Sequence, residues 1–335
     1  MKQIPIIVVG LGQWGKLWVE DILSDAQFEI VGLVDNKLEN IDFVCESFGI
    51  ARDKGYSSIE QVVSAHPPGV AVLTVPPKQH FEVASGLINA GYHILSEKPL
   101  ASNFNEALKL RDLAERSSVY FMVSQDYRWQ PPIQTLRHLL NENKIGDLGY
   151  ASYQHYVSLK IGGWREKMDH VILEDMSIHH FDIIRAITGV NCVKVYAESI
   201  NPVWSWYKGG AVTSVQLLFE NNFFVNYFAT WVTNGPENSW PGEIRIEGKD
   251  GTLIMDSAGN IMLYGSTGSN KIPWLSLEFT GRKFALNEMR NALSLGISPE
   301  TTIQDNLQSF AIIQASLLSV KEKRLVEVVE IINGE

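Results

Sequence analysis

The hexapeptide GLGQWG lies between a continuous apolar run, Ile4–Val9, and a helical pattern, and it puts glycines at positions 10, 12 and 15. No other stretch limits the possible folds of this chain as tightly. An apolar, β-branched run of that length suits a strand buried on both faces of a parallel sheet. Gly10 then permits a tight turn, Gly12 lets the backbone come close to a pyrophosphate, and Gly15 allows the following helix to pack closely on the strand. The helix start offers unpaired N–H groups and the positive end of a dipole to phosphate. A glycine-rich turn alone is a weak signal. It gains weight from Asp35, which ends the next strand-like run, FEIVGLVD, twenty residues after Gly15, where an acid meets the ribose hydroxyls of a dinucleotide. A carboxylate there repels a 2′-phosphate and favours NAD over NADP, although Asn36 and Lys37 beside it leave NADP possible. Gly10, Gly12, Gln13, Trp14, Gly15, Asp35 and Asn36 are the candidate cofactor contacts of this first unit.

The first third of the chain continues to alternate. Strand-like GVAVLTV, YHIL and VYFMV are separated by helical patterns such as QHFEVASGLINAG, which ends on a glycine. Such alternation predicts a doubly wound α/β domain over residues 1–124. From residue 125 the pattern changes. Helical PPIQTLRHLLNEN leads to DLGYASYQHYVSLK, and then to another helix. Long strand-like segments follow, with turns at Glu220-Asn221-Asn222 and Lys249-Asp250-Gly251, and two helical patterns close the chain. Residues 125–335 are therefore expected to form an α+β domain with a large, mainly antiparallel open sheet.

Composition narrows the partners. The 335 residues carry a net charge of −10 and no basic run, which disfavours nucleic acid and anionic membranes. No stretch approaches a membrane span. The N-terminus reads as a first strand, not a signal peptide. Cys45 and Cys192 stand apart in no metal-ligand spacing and suit a reducing compartment, so a cytoplasmic protein is expected.

Two further stretches fall at the carboxyl ends of strands, where ligands of open parallel sheets bind. TVPPKQH offers Thr74, Pro76 and His80, and GYHILSEKPL offers Glu97 and Lys98 ahead of Pro99. A lysine at that place lies near the nicotinamide end of a dinucleotide. With these motifs the chain resembles the glucose–fructose oxidoreductase/inositol dehydrogenase/rhizopine-catabolism (Gfo/Idh/MocA) family over nearly its whole length. GLGQWG, TVPPKQH, GYHILSEKPL, QDYRWQP, NKIGDLG and EDMSIHHFDIIRAITG are the anchors. The resemblance implies a nicotinamide-binding Rossmann domain, a C-terminal domain built on a large open sheet, a catalytic lysine at Lys98, and a cis peptide bond between Lys98 and Pro99. It also implies an Asp-x-Gly-x-His-x-x-Asp helix. Asp175, His179 and Asp182 match that pattern, Ser177 replaces its glycine, and HVILE stands where a glycine-rich lead-in is common.

The stretch LEDMSIHHFD, which holds these residues, is open to three readings: a metal site, a charged helix start, or an acid–base centre. On a regular helix Asp175, His179 and Asp182 share a face at i, i+4 and i+7, while His180 points about 100° away. Adjacent histidines diverge, which disfavours metal. An imidazole exchanges protons near neutral pH and a carboxylate can orient it, so an acid–base centre of Asp175 and His179 acting with Lys98 is expected. His180, Glu174 and Asp182 read as structural. Trp164 and Arg165, in GGWREKMDH, are candidates for binding a sugar face and its hydroxyl or carboxylate groups, and Arg128 and Trp129 are candidates for lining the same site.

Three functions follow. The first is an NAD(P)-dependent oxidoreductase acting on a sugar, sugar acid or cyclitol. The second is a glycosidase that retains NAD and oxidises its substrate transiently. The third is a dinucleotide-binding regulator without catalysis, which the joint presence of Lys98, Asp175 and His179 disfavours. In NFFVNYFATWV both strand faces are apolar. Helices can cover one, and a second subunit is expected on the other, giving a homodimer or homotetramer.

Overall fold

The computed structural model describes residues 3–334, and the chain divides into two compact units. Their boundary is not a single cut near residue 124. The chain up to Asp126 forms one unit together with Phe279–Leu307, and Tyr127–Glu278 forms the other with the chain from Gln308 onward.

The first unit holds six strands: β1 Ile4–Val9, β2 Phe28–Val34, β3 Gly55–Tyr56, β4 Val70–Leu73, β5 His93–Ser96 and β6 Phe121–Val123. They pair in parallel in the order β3-β2-β1-β4-β5-β6. Connecting them are helices α1 Gln13–Leu23, α2 Leu38–Phe48, α3 Ile59–Ala65, α4 Pro77–Asn89 and α5 Phe104–Glu115. In α1 the residues Gly15, Trp18, Val19 and Ile22 are buried, at the i, i+3, i+4, i+7 spacing of a core-facing stripe. Val70, Ala71, Val72 and Leu73 are all fully buried, as a central strand covered on both faces requires. Strand order reverses between β1 and β4, and this switch point is where open α/β sheets take ligands.

The second unit begins with α6 Pro131–Asn141 and β7 Leu148–Tyr156, passes a π turn at Ile172–Met176, and enters α7 Ser177–Thr188. Then follow β8 Cys192–Ile200, β9 Val212–Phe219, β10 Phe224–Thr230, β11 Glu243–Gly248, β12 Gly251–Met255, β13 Ile261–Gly265 and β14 Gly268–Ile272. After α8 Gly281–Leu295 and α9 Ile303–Glu322 come β15 Val326–Glu327 and α10 Val328–Asn333. The nine strands form one open sheet in the order β14-β13-β12-β11-β7-β10-β9-β8-β15. All neighbours are antiparallel except β7 and β10, which run parallel at its centre. The hairpin between β9 and β10 turns at Glu220–Asn222, where Asn221 and Asn222 adopt positive φ, and β11 turns into β12 through Lys249 and Asp250 alone.

Helix α7 is the centre of this unit, with every residue from Ser177 to Ile187 buried. It lies against β10, where the ring of Phe181 meets that of Tyr227 edge-on at 5.0 Å. Alternate residues Val225, Tyr227 and Ala229 face inward, and Phe224 and Asn226 are exposed. Val232 is buried beyond the end of the strand. Cys45 and Cys192 are both buried free thiols. Among the described residues no helix is long and apolar enough to cross a membrane.

Candidate active site

The candidate dinucleotide-binding turn follows β1. Gly10 has φ +95°, and a side chain on it would press on the backbone of Thr74 and Val75 at 2.9 Å. A Cβ on Gly15 would lie 2.0 Å from the Gly10 carbonyl oxygen, so only glycine lets α1 pack this closely. At Gly12 the same test meets nothing within 4 Å. Gly12 is also the N-cap of α1 and brings no side-chain acceptor to the helix start, where Gln13 and Trp14 are exposed. An open cradle at an uncapped helix N-terminus fits a pyrophosphate.

Asp35 braces this turn. Its Oδ2 accepts from Leu11 N at 2.8 Å and its Oδ1 from Lys37 N at 2.9 Å, so one carboxylate ties the glycine loop to the end of β2. Each oxygen keeps a lone pair for a ribose hydroxyl. Asn36 and Lys37 are exposed beside it. The hydroxyl of Thr74 donates to the Gly10 carbonyl and closes the other side of the turn.

Pro76 caps α4 and is exposed, but His80 one turn later is not. Its Nε2–H donates to the Val75 carbonyl at 2.8 Å, and the side chain is almost fully buried. Burial lowers its basicity. His80, expected among the cofactor contacts, therefore shapes the loop and leaves almost no surface for a ligand.

Glu97 and Lys98 follow β5 directly, and the Lys98–Pro99 peptide is cis, as the resemblance implies. Glu97 Oε1 accepts from the indole N–H of the buried Trp18 at 2.8 Å. Burial pushes the Glu97 carboxyl up to about 7. The Asp126 carboxylate adds to that shift, and the Trp18 N–H and the Lys98 charge oppose it.

In the second unit, Asp175 lies within the π turn, not on a regular helix with His179 and Asp182, so the expected i, i+4, i+7 face is broken at its first member. Arg165 Nε donates to Asp175 Oδ2 at 2.6 Å, and the guanidinium also stacks on the Trp164 ring, 4.5 Å from its centroid. Trp164 is 53% exposed. The loop carrying this pair is pinned in place. Lys208 N donates to Glu166 O at 2.8 Å and Gly210 N to Asp169 O at 2.7 Å, while Gly209 comes so close to Asp169 that a Cβ would overlap its carbonyl.

His179 is nearly buried, with the ring of Tyr127 edge-on at 4.6 Å. Tyr127 stands next to Arg128, whose guanidinium clamps Asp182 through Nε to Oδ2 at 2.9 Å and Nη2 to Oδ1 at 2.6 Å. Both side chains of that pair are buried, and Ser309 Oγ donates to Asp182 Oδ1 at 3.0 Å. Arg128, expected to line the substrate site, instead bolts the segment bearing Tyr127 to α7 one turn beyond His179. Trp129, expected there too, is fully buried. Asp182 is structural, as its neighbours Glu174 and His180 are. Glu174 Oε1 accepts from His170 N at 2.8 Å, and His180 faces Tyr227 and the Trp240 carbonyl. The sequence reading passed over Tyr127 and Trp18. Tyr127 adjoins a residue it had singled out, whereas Trp18 lies far along the chain from Glu97. Among the described residues no group of three or more His, Cys, Asp or Glu side chains is placed to hold a metal ion.

Comparison with known proteins agrees with this fold. Residues 4–125 match an oxidoreductase family with an NAD-binding Rossmann fold, and residues 133–254 match the GFO/IDH/MocA C-terminal domain. The uncharacterized protein y4oX of Sinorhizobium fredii is 26% identical, the match covering 98% of this chain and 97% of its own. D-apiose dehydrogenase of Paraburkholderia graminis is 25% identical over 89% of this chain and 83% of its own. An oxidoreductase from Agrobacterium radiobacter, solved in complex with NAD+, L-tartaric acid and magnesium, shares the fold with a TM-score of 0.90 at 20% identity. That match covers 98% of this chain and 99% of the other.

Proposed function

Because the chain belongs to the Gfo/Idh/MocA family of NAD(P)-dependent oxidoreductases, we propose that it interconverts a hydroxyl and a carbonyl on a polyhydroxylated small molecule: a sugar, sugar acid or cyclitol. The observation that carries this reading is His179, set on a fully buried helix, braced by Tyr127, and preceded by an Asp175 that Arg165 holds from outside. The relative named D-apiose dehydrogenase supports a sugar as substrate.

In this reading NAD supplies the hydride acceptor when it is bound. His179 takes the hydroxyl proton, since imidazole is the side chain that exchanges protons near neutral pH. The Lys98 ammonium holds the same oxygen and stabilises the negative charge that grows on it as the proton leaves. Asp175 and Arg165 bind neighbouring hydroxyls, and Trp164 offers an indole face to the ring. Lys98, Asp175 and His179 are the proposed catalytic residues. Gly10, Gly12, Gln13, Trp14, Gly15, Asp35, Asn36, Thr74, Pro76 and Glu97 are the proposed surroundings of the cofactor.

A panel of aldoses, inositols and sugar acids with NAD and NADP, followed at the nicotinamide absorbance, tests this reading. Net release of NADH with one of them is the expected result, whereas turnover without net NADH would indicate transient oxidation. His179→Ala is expected to bind cofactor normally and to lose roughly 10²–10⁴-fold in turnover. Lys98→Ala is expected to lose a comparable factor, and the two losses should not add. Normal turnover by His179→Ala would rule out its role as base. At the ribose, Asp35 is expected to favour NAD over NADP at least tenfold, about 1.4 kcal/mol. Titration of both reduced cofactors checks this, and equal affinities would show that Lys37 governs the pocket instead.

A further inference from the structure

Three buried side chains join the π turn to β10 and to the loop beyond it. Ser177 Oγ lies 2.9 Å from the Ile172 carbonyl oxygen and 2.9 Å from the Tyr227 hydroxyl. The Tyr227 hydroxyl lies 2.8 Å from His180 Nδ1, and His180 Nε2 lies 3.1 Å from the Trp240 carbonyl oxygen. All three side chains are fully buried.

The chain thus has four contacts and ends on a carbonyl at each side. Carbonyls only accept, so four contacts require four hydrogens. Ser177 and Tyr227 supply one each, and a neutral imidazole supplies one more. One contact must therefore lack a hydrogen unless His180 is a cation, and burial together with the nearby imidazole of His155 holds its basicity well below normal.

The position of the gap follows from what else each carbonyl receives. Ile172 O already accepts the backbone N–H of Ser177, the bond that closes the π turn. A gap at the other end would set the Nε2 lone pair against the Trp240 oxygen. The lower-energy arrangement is therefore directional: His180 Nε2–H donates to Trp240, Tyr227 donates to His180 Nδ1, and Ser177 donates to Tyr227. The Ser177 hydrogen then points to Tyr227, with Oγ still 2.9 Å from Ile172 O, and that carbonyl is left to the backbone N–H of Ser177.

We propose that Ser177, Tyr227 and His180 form a directional relay, with His180 as the neutral Nε2–H tautomer, that keeps the π turn in the shape presenting Asp175 ahead of His179. Tyr227 is the positioning residue at its centre. The proposal rests on the reading that Asp175 and His179 handle the substrate.

In Tyr227→Phe the Ser177 hydroxyl turns back to Ile172 O and competes with the N–H that closes the turn. The expected result is a fall in kcat of about tenfold to a hundredfold with cofactor affinity unchanged. Adding Ser177→Ala removes the competitor, so the double variant should regain most of the lost turnover, which a simple loss of packing would not do. On the wild-type protein, 15N spectra of labelled histidine, assigned through a His180→Gln variant, should show Nε2 protonated and Nδ1 bare at pH 7. An Nδ1–H tautomer, an imidazolium, or a double variant worse than Tyr227→Phe would each overturn the relay. If His179→Ala and Asp175→Asn are fully active, the catalytic reading fails while the tautomer measurement still decides the relay. If those variants are inactive and Tyr227→Phe behaves as wild type, the relay alone fails.

Discussion

Glu97 carries its proton to higher pH than any free carboxyl, and this has a measurable consequence. From its unfolded value of 4.5 up to about 7 the folded chain holds a proton that the unfolded chain has released. The folded state therefore binds more protons in that window, and this group's contribution to stability falls as pH rises through it. The loss reaches at most about 3 kcal/mol above pH 7. Glu97→Gln keeps an oxygen for the Trp18 N–H but has no proton to lose. Its stability relative to wild type is expected to be lowest near pH 4.5 and to rise up to pH 7, as read from urea midpoints of the cofactor-free proteins. Parallel midpoints across that range would show that Glu97 titrates normally. The sequence placed Glu97 beside Lys98 but could not reveal this property, because the cause is burial in the folded chain, where even its hydrogen-bond partner Trp18, whose N–H opposes the shift, comes from 79 positions away. The same limit explains Arg128 and His80. A cation or imidazole next to a motif has the same letters whether it meets a ligand or a buried partner, and only Asp182 and the Val75 carbonyl, once in place, settle which.

Elements were more legible than single side chains, where their signal was local. The run Val70–Leu73 and the stripe Gly15, Trp18, Val19 and Ile22 carry their own period, so strand and helix could be read without partners. The asparagine turn at Glu220–Asn222 was legible for the same reason, since Asn tolerates the positive φ it needs. By contrast, DLGYASYQHYVSLK shows alternation, yet nothing in it says that β7 will sit at the centre of the sheet beside β10. That pairing is made across more than seventy residues by strands that arrive later in the chain. The π turn was equally silent. HVILE looks like an ordinary helix start, and the widened turn closes through Ser177, whose hydroxyl is placed by Tyr227 from another element. A helical wheel drawn on the sequence therefore set Asp175 on a face that the backbone does not provide.

At the scale of the whole molecule, reading in order along the chain was the weak assumption. Helix α8 returns to the first unit, where Ala285, Leu286 and Met289 complete the core around Ile6, Val8 and Trp18, and Arg282 pairs with Asp21 at 2.7 Å. Its amphipathic stripe announced a helix but not which core would take it. The outer face of the nine-stranded sheet raises the remaining question of scale. One row in register runs Phe224, Tyr150, Glu247, Thr252 and Tyr264 across five strands. Within it Tyr150 is 58%, Tyr264 41% and Phe224 39% exposed. The next row adds Asn226, Ser152, Arg245, Ile254 and Met262. Aromatic anchors set among small polar groups and a few charges are the composition expected of a subunit interface. Were two such faces to meet across a twofold axis, Phe224 and Tyr150 of both subunits would be buried in one closed contact. The wild-type protein is expected to run as a dimer or tetramer by light scattering at micromolar concentration. Phe224→Asp combined with Tyr150→Asp places two charges in the first of these rows without touching the inward residues Val225, Tyr227 and Ala229. It should therefore yield a smaller species with unchanged circular dichroism. A monomeric wild type, or a double variant of unaltered mass, would show that this face remains in solvent.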